Sequence, residues 1–200
     1  MNEPVYASAS VRNSAPILGV LRHEFKNSCN VLEIGSGTGF HAATFAQAMP
    51  HLFWQTSDLA ENLASLRRAV LDADLPNIGL PLELDVTNVE MKAVQFDTVY
   101  SCNTAHIMHS GAVRKMISLV GELLAGGGVF CLYGPFRREG RCSTPSNTAF
   151  DQSLRARNAG MGIRDLEAID DLTTKAGMTR SRIYAMPANN LLITWRSGDI

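Results

Sequence analysis

The stretch from Val31 to Gly39 limits what this chain can fold into more than any other part of it. It reads Val-Leu-Glu-Ile-Gly-Ser-Gly-Thr-Gly, an apolar run that carries the acid Glu33 and continues into a loop with glycine at every second position. A helical pattern begins at Phe40. This order predicts a strand, a tight turn and a helix N-terminus, an arrangement that lets the backbone come very close to a nucleotide-like ligand.

Strand and helix patterns alternate along the rest of the chain, which predicts an α/β fold with a mainly parallel sheet and helices on both faces. We expect parallel strands over 30–34, 52–56, 80–84, 96–101 and 129–133, and a closing antiparallel pair over 179–185 and 191–196. Asn189 and Asn190 supply turn residues between that pair. Helical patterns cover 16–25, 40–49, 60–73, 111–124, 147–157 and 165–176, and residues 134–145 have the composition of a polar loop.

Length and composition favour a soluble globular protein. The 200 residues suit one domain, 1–200, and a hydrophobic content of 46% is ample for a large core. The formal net charge of −1 gives no overall attraction to nucleic acid or to an anionic membrane. No apolar run approaches the length of a membrane span, and residues 1–13 lack the layout of a signal peptide. We therefore expect a cytoplasmic protein with no membrane partner, and its oligomeric state stays open.

The cysteines and histidines do not suggest a metal site. The four cysteines form no C-x-x-C pair, which disfavours a zinc site or a disulfide framework. Three of them, Cys29, Cys102 and Cys131, lie in apolar runs, and we expect them to be buried thiols. His106 and His109 are spaced three apart, but no third ligand is evident, so no bound metal is expected.

The E-x-G-x-G-x-G form of the glycine loop resembles the first motif of S-adenosylmethionine (SAM)-dependent methyltransferases. More specific still are Y-G-P-F from Tyr133 and M-P-A-N-N from Met186, which resemble the DUF938 family, also called methyltransferase-like 26, over nearly the whole chain. The resemblance implies the class I methyltransferase fold: a Rossmann-like, doubly wound, mostly parallel seven-stranded sheet with an antiparallel last strand, in the order 3-2-1-4-5-7-6. It implies SAM as cofactor and S-adenosylhomocysteine (SAH) as product, and it supplies no acceptor.

In an open α/β sheet, ligands lie outside the carboxyl ends of the strands. There the resemblance implies that Glu33 accepts from the SAM amine, Asp58 grips the ribose hydroxyls, and Asp85 and the Val86 amide contact adenine. Alternatively, Asp58 caps the following helix and Asp85 caps a loop. The full set of expected cofactor-binding residues is Glu33, Gly35, Ser36, Gly37, Thr38, Gly39, Asp58, Leu59, Asp85, Val86 and Asn103. An NAD(P) site is disfavoured, because Phe40 stands where the dinucleotide motif needs glycine or alanine.

Methyl transfer from a sulfonium mainly requires that the acceptor be positioned and water excluded. An acceptor that must lose a proton also needs a base, and His106 is the best candidate, with Asn103 and Tyr133 beside it as further catalytic candidates. The alternative is that His106 is a structural histidine and that Tyr133 and Phe136 are ordinary core residues. The N-P-P-Y tetrad typical of enzymes that methylate amino groups of DNA bases or glutamine is absent after strand four.

Arg12, Asn13 and Phe136 are expected to bind the substrate, and residues 6–13 are a candidate lid. Three arginines at 137, 138 and 141 crowd one loop, where they either meet an anionic small molecule or form a solvated basic surface. The sequence thus predicts a methyltransferase acting on an unidentified small molecule, with nucleic acid disfavoured. The alternative is a non-catalytic SAM- or SAH-binding protein that acts through a partner.

Overall fold

The computed structural model of this protein describes residues 5–88 and 95–198. In chain order its strands are β1 (Asn30–Ile34), β2 (Phe53–Asp58), β3 (Ile78–Glu83), β4 (Phe96–Cys102), β5 (Leu124–Gly134), β6 (Phe136–Arg138), β7 (Arg141–Cys142), β8 (Arg164–Asp165), β9 (Met178–Met186) and β10 (Asn190–Ser197). Its helices are α1 (Val5–Glu24), α2 (Phe40–Ala48), α3 (Leu63–Ala73), α4 (Ser110–Leu123), α5 (Pro145–Arg157) and α6 (Leu166–Lys175). No helix within the described ranges is both long enough and apolar enough to cross a membrane.

Seven strands form the main sheet, in the order β3-β2-β1-β4-β5-β10-β9. The strands from β3 to β5 pair in parallel, and β10 is antiparallel to both β5 and β9. Because β9 and β10 are the sixth and seventh strands of this sheet, the order is the predicted 3-2-1-4-5-7-6. The sequence-based strand bounds are correct to within a few residues, except that β5 begins at Leu124.

The core lies on both faces of the sheet, as a doubly wound fold requires. Successive side chains of β1 point to opposite faces of the sheet, where each face has its own apolar cluster. Leu32 and Ile34 pack in the first cluster, and Val31 packs in the second. Helices α4 and α6 cover the first cluster, where Phe130 stacks on Trp195 with ring centroids 5.5 Å apart. Helices α1 and α2 cover the second.

The predicted loop over 134–145 is wrong, because it contains β6 and β7. These two short strands form a hairpin, in which Arg138 pairs with Arg141, and β6 also pairs in parallel with β8. The two residues of the turn, Glu139 and Gly140, both have positive φ, 49° and 73°. Two left-handed residues in succession give the tight turn whose twist matches that of a hairpin.

Two other predictions need correction. The first helix starts at Val5 rather than at residue 16, so the candidate lid, 6–13, lies within α1. Cys29 is exposed because it precedes β1, where its backbone N–H donates to Asp97 Oδ2 over 2.6 Å. Cys131 is buried as predicted, and Cys102 is half-buried.

Candidate functional site

The glycine loop joins β1 to α2 at the carboxyl edge of the sheet. Gly35, Gly37 and Gly39 all have positive φ, at 75°, 56° and 75°. The amides of Gly35 and Ser36 donate to the Ser57 carbonyl oxygen over 3.1 and 2.9 Å, which ties the start of the loop to β2. Gly37 and Thr38 are exposed, so their backbone is accessible to a ligand at this edge.

Asp58, the last residue of β2, holds the glycine loop from the other side. Its Oδ2 accepts from the Gly37 N–H over 2.7 Å. Its Oδ1 accepts from the Leu59 N–H and from Asn62 Nδ2, each over 2.8 Å, which ties it to the short 3₁₀ turn before α3. Leu59 and Asn62, not Asp58, occupy the N-cap positions of the 3₁₀ turn and of α3, so Asp58 does not have the alternative capping role. Its expected ribose role stays a prediction. Leu59 is 40% exposed beside it.

Glu33 lies under the loop with only 2% of its surface exposed. Its Oε2 accepts from Trp54 Nε1 over 3.0 Å. Burial raises the pKa of this carboxyl to about 7, against the opposing effect of hydrogen bonds from Trp54 and Ser36. A cationic amine placed beside Glu33 would favour its charged form and lower that pKa again.

Asp85 and Val86 follow β3 on the same edge. The Thr87 N–H and hydroxyl both donate to Asp85 Oδ1 over 2.8 Å, and these bonds lower the pKa of the Asp85 carboxyl. Asp85 thus caps its own loop, which is the alternative role considered for it. Val86 is buried in the core cluster under α4.

Asn103 and His106 converge where β4 and β5 end. Asn103 has a positive φ of 59°, and its N–H donates to the Tyr133 carbonyl oxygen over 2.9 Å. A Cβ placed on Gly134 would lie 3.6 Å from His106 Nδ1 and 3.9 Å from Asn103 Oδ1. The two side chains therefore flank the same backbone position.

His106 is buried with 7% of its surface exposed, and its ring packs edge-on against Phe150 of α5 at a centroid distance of 5.3 Å. Burial lowers the pKa of His106 to about 4, with further contributions from the positive charges of Arg164 and Arg157. The imidazole is consequently neutral at pH 7, so that it has a nitrogen lone pair to accept a proton.

A buried network around His41, which the sequence analysis missed, ties α1 to this edge. His41 Nε2 lies 3.2 Å from the Ser10 carbonyl oxygen and 2.9 Å from Asn13 Oδ1. Because a carbonyl oxygen only accepts, the proton lies on Nε2, and Nδ1 is left to accept from the Tyr100 hydroxyl over 3.3 Å. Burial lowers the pKa of His41 to about 4. A lone histidine in an apolar helix gives no sequence signal for such a network.

The expected substrate-binding residues do not all meet. Asn13 is buried at this edge, where it hydrogen-bonds His41 and the Tyr133 side chain. Arg12 is exposed on α1. Phe136, by contrast, is 3% exposed and packs in the core beneath α4 and α6, so the structure does not bring it to the others. No three histidine, cysteine, aspartate or glutamate side chains of the described ranges cluster as a metal site.

The profile of one protein family, described as protein of unknown function (DUF938), matches residues 4–197. The chain belongs to the DUF938 family. The resemblance expected from its Y-G-P-F and M-P-A-N-N stretches is thereby confirmed.

Solved structures similar to this DUF938 chain include methyltransferases. An O-methyltransferase family protein from Burkholderia thailandensis has a TM-score of 0.84 at 17% identity, over 97% of this chain and 59% of its own. The S-adenosylmethionine-dependent methyltransferase SibL has a TM-score of 0.79 at 17% identity, and the match covers 96% of this chain and 57% of SibL. PigF with SAH has a TM-score of 0.78 at 19% identity, and the match covers 92% of this chain and 56% of PigF. The chain spans a little over half the length of these proteins, and it has the predicted Rossmann-like class I methyltransferase fold.

Proposed function

We propose that this DUF938 protein is a SAM-dependent methyltransferase that transfers a methyl group to a small molecule and releases SAH. The observation that carries the proposal is the bond from the Gly37 amide to the Asp58 carboxylate, 2.7 Å long, at the carboxyl edge of the sheet. It holds a loop of left-handed glycines beside a fixed acid. Such an arrangement suits a ligand that carries both ribose hydroxyls and a charged tail.

The residues at this edge fit SAM. A Cβ built on Gly37 would meet no other atom within 4 Å, so the loop borders open space in which a ligand can lie. In the proposal, Glu33 receives the amine, Asp58 and Leu59 hold the ribose, and Asp85 and Val86 hold the adenine. The backbone of Gly35, Ser36, Thr38 and Gly39, together with Asn103, completes the set.

When bound, SAM supplies a methyl group that its cationic sulfur has already activated. The protein's own task is to orient the acceptor and to exclude water. In the proposal the neutral His106 ring accepts the acceptor's proton. Because burial lowers its pKa to about 4, it is a weak base, which suits a proton that becomes acidic as the methyl group is transferred. Asn103 and Tyr133 orient the acceptor, since Asn103 Oδ1 flanks Gly134 together with the His106 ring.

A small-molecule acceptor is supported by the contacts in this region and by the charge of the chain. Side chains of the protein already occupy part of this edge, since Phe150 of α5 packs against His106 and Asn13 of α1 bonds to His41 and Tyr133. The net charge of −1 also argues against a nucleic acid. Of the expected substrate residues, Arg12 and Asn13 remain in the proposal, and the buried Phe136 contributes only to the core.

Calorimetric titration of the full chain with SAM, SAH and NADH tests the cofactor assignment. We expect micromolar binding of SAM and SAH, no binding of NADH, and at least about tenfold weaker SAH binding by Asp58→Asn, because a charge-assisted bond is lost. Asp72→Asn is a matched control, since Asp72 pairs with Arg68 on the exposed surface of α3. Absence of SAM and SAH binding at millimolar concentration would overturn the proposal.

A further inference from the structure

A second cleft lies between α4 and α6, away from the glycine loop. It has a volume of about 220 Å³ and an apolar wall formed by Val113, Ile169 and Leu172. This is smaller than the roughly 300–1,000 Å³ typical of sites for drug-sized ligands, so an occupant has to be small. Most of its lining surface is apolar, and arginine residues also contribute to it.

Three arginines line this cleft, Arg114 from α4, Arg137 from β6 and Arg164 from β8. One acid, Asp165, faces them, and its carboxylate already accepts from the Gly140 N–H over 2.7 Å. The charge of the lining is therefore positive. Burial, and to a smaller extent the nearby charges of Arg155 and Arg137, lowers the pKa of Arg164, while the charge of Asp151 acts in the opposite direction.

Arg137 is the member of this cluster whose hydrogen bonding is incomplete. Its Nε is buried and has no hydrogen-bond partner within residues 5–88 and 95–198. Arg164 differs, because it donates to the carbonyl oxygens of Ala105, Met108 and Gly160 over 2.9, 2.5 and 2.8 Å. Because this Nε is fully buried, an anion in the cleft would be held by the parts of Arg137 and Arg114 that line it.

The cleft is distinct from the proposed methyl-transfer site. Arg164 bonds the backbone of the turn that carries His106, whereas the His106 ring faces Phe150 of α5. Ser110, the first residue of α4, also lines the cleft, so the positive end of that helix dipole adds to the attraction for an anion. We propose that the cleft between α4 and α6 binds a small molecule that combines one anionic group, held by Arg114 and Arg137, with an apolar body against Val113 and Ile169.

Two-dimensional NMR titration of the ¹⁵N-labelled full chain with benzoate tests this proposal, with benzamide as the neutral counterpart of nearly the same shape. We expect benzoate to shift the amide signals at the start of α4 and along α6. Benzamide should bind at least about tenfold more weakly, because it cannot form charge-assisted bonds. Inorganic phosphate should also bind more weakly than benzoate, because it makes no use of the apolar wall.

The variants Arg137→Gln and Arg114→Gln should each weaken benzoate binding about tenfold. Arg114 is exposed on α4, so its replacement tests the site even where Arg137→Gln fails to fold. Lys115→Gln is the matched control, because Lys115 is the next residue of the same helix and donates to the Thr87 carbonyl oxygen outside the cleft. Equal binding of benzoate and benzamide, shifts confined to residues 35–39, or unchanged affinity in Arg114→Gln would overturn the proposal.

Discussion

Folding and the proposed cofactor favour different protonation states of the Glu33 carboxyl. Its folded-state pKa of about 7 lies above the ordinary value of 4.5, because the carboxyl is buried. The folded protein thus keeps a proton that the unfolded chain has already lost, and the free energy of unfolding falls as the pH rises from about 4.5 to about 7. A cationic amine bound beside Glu33 would stabilise the charged carboxylate and offset this loss of stability.

We therefore expect Glu33→Gln to be more stable than the wild type at pH 8, by about 2 kcal/mol, and to bind SAH more weakly. Glutamine keeps an oxygen to accept from Trp54 and does not ionise. Urea unfolding at pH 5 and pH 8 measures the first effect, and calorimetry the second. Glu83→Gln, at the exposed end of β3, is the control. A variant less stable than the wild type at pH 8 would show that burial does not disfavour the charged carboxylate.

The contribution of His106 to the free energy of unfolding changes with pH in the opposite direction to that of Glu33. Burial lowers its pKa from 6.5 to about 4, so between these values the unfolded chain binds a proton that the folded protein does not. Stability from this residue is present above pH 6.5 and is lost as the pH falls towards 4. In His106→Gln, the loss of stability between pH 7 and pH 4.5 should be smaller by about 2 kcal/mol, as measured by urea unfolding. An identical loss in variant and wild type would contradict the burial of a neutral ring.

The sequence predicted where the candidate site residues lie along the strands, but not all the contacts that their neighbours make. Position in a motif was enough to predict that Glu33, Asp58, Asn103 and His106 lie at or just beyond the ends of neighbouring strands. The ends of parallel strands meet at one edge of the sheet. The contacts of His41 with α1 were not predictable in this way. They depend on how α1 lies across α2, and no periodicity encodes that.

Within the glycine loop, two positions with similar backbone conformation should respond differently to substitution. Gly37 has a φ of 56° and no atom within 4 Å of an added Cβ, whereas a Cβ on Gly39, φ 75°, would lie 3.1 Å from Leu66 Cδ1 and 3.2 Å from Ala69 Cβ. Gly37→Ala should cost only the left-handed strain, about 1 kcal/mol. Gly39→Ala adds a clash between α2 and α3.

We expect Gly37→Ala to weaken SAH binding, since its new methyl group enters the open side of the loop, and to lower the urea midpoint less than Gly39→Ala does. Parallel unfolding and calorimetric titrations of the two variants check this. Should Gly37→Ala unfold as easily as Gly39→Ala and bind SAH normally, the loop would not face the ligand in the proposed way.

The sequence did not predict the β6–β7 hairpin or the first part of α1, because neither segment has a clear periodic pattern. Strands of two or three residues are too short to show an alternating pattern, and Arg-Glu-Gly-Arg reads as a polar loop until its positive φ values are seen. Residues 5–15 of α1 are mostly small and polar, so they lack an apolar stripe of helical spacing. The longer amphipathic segments, such as α4, were located to within a residue.

Across the whole chain, the two ends of the fold are joined at Glu24, the last residue of α1. Its carboxylate is almost fully buried and accepts from Arg196 Nη2 over 3.2 Å. Arg182 Nη1 lies 3.8 Å from it, and the Tyr184 hydroxyl donates to it. These partners lie on β9 and β10, between 158 and 172 positions further along the chain, so no local sequence pattern could reveal them.

Removing the Glu24 charge should therefore loosen the first helix from the last two strands. Breaking a fully buried ion pair on one side costs about 3–5 kcal/mol, and since Arg182 and Arg196 are about half exposed we expect about 2 kcal/mol for Glu24→Gln. Urea unfolding of Glu24→Gln, Arg196→Gln and the double variant measures the coupling between the two residues. We expect the double variant to lose clearly less than the sum of the single losses, because Arg196 has less to lose once the carboxylate is gone. Additive losses would mean that Glu24 is held mainly by Tyr184, and that the charge of Arg196 does not contribute to closing the fold.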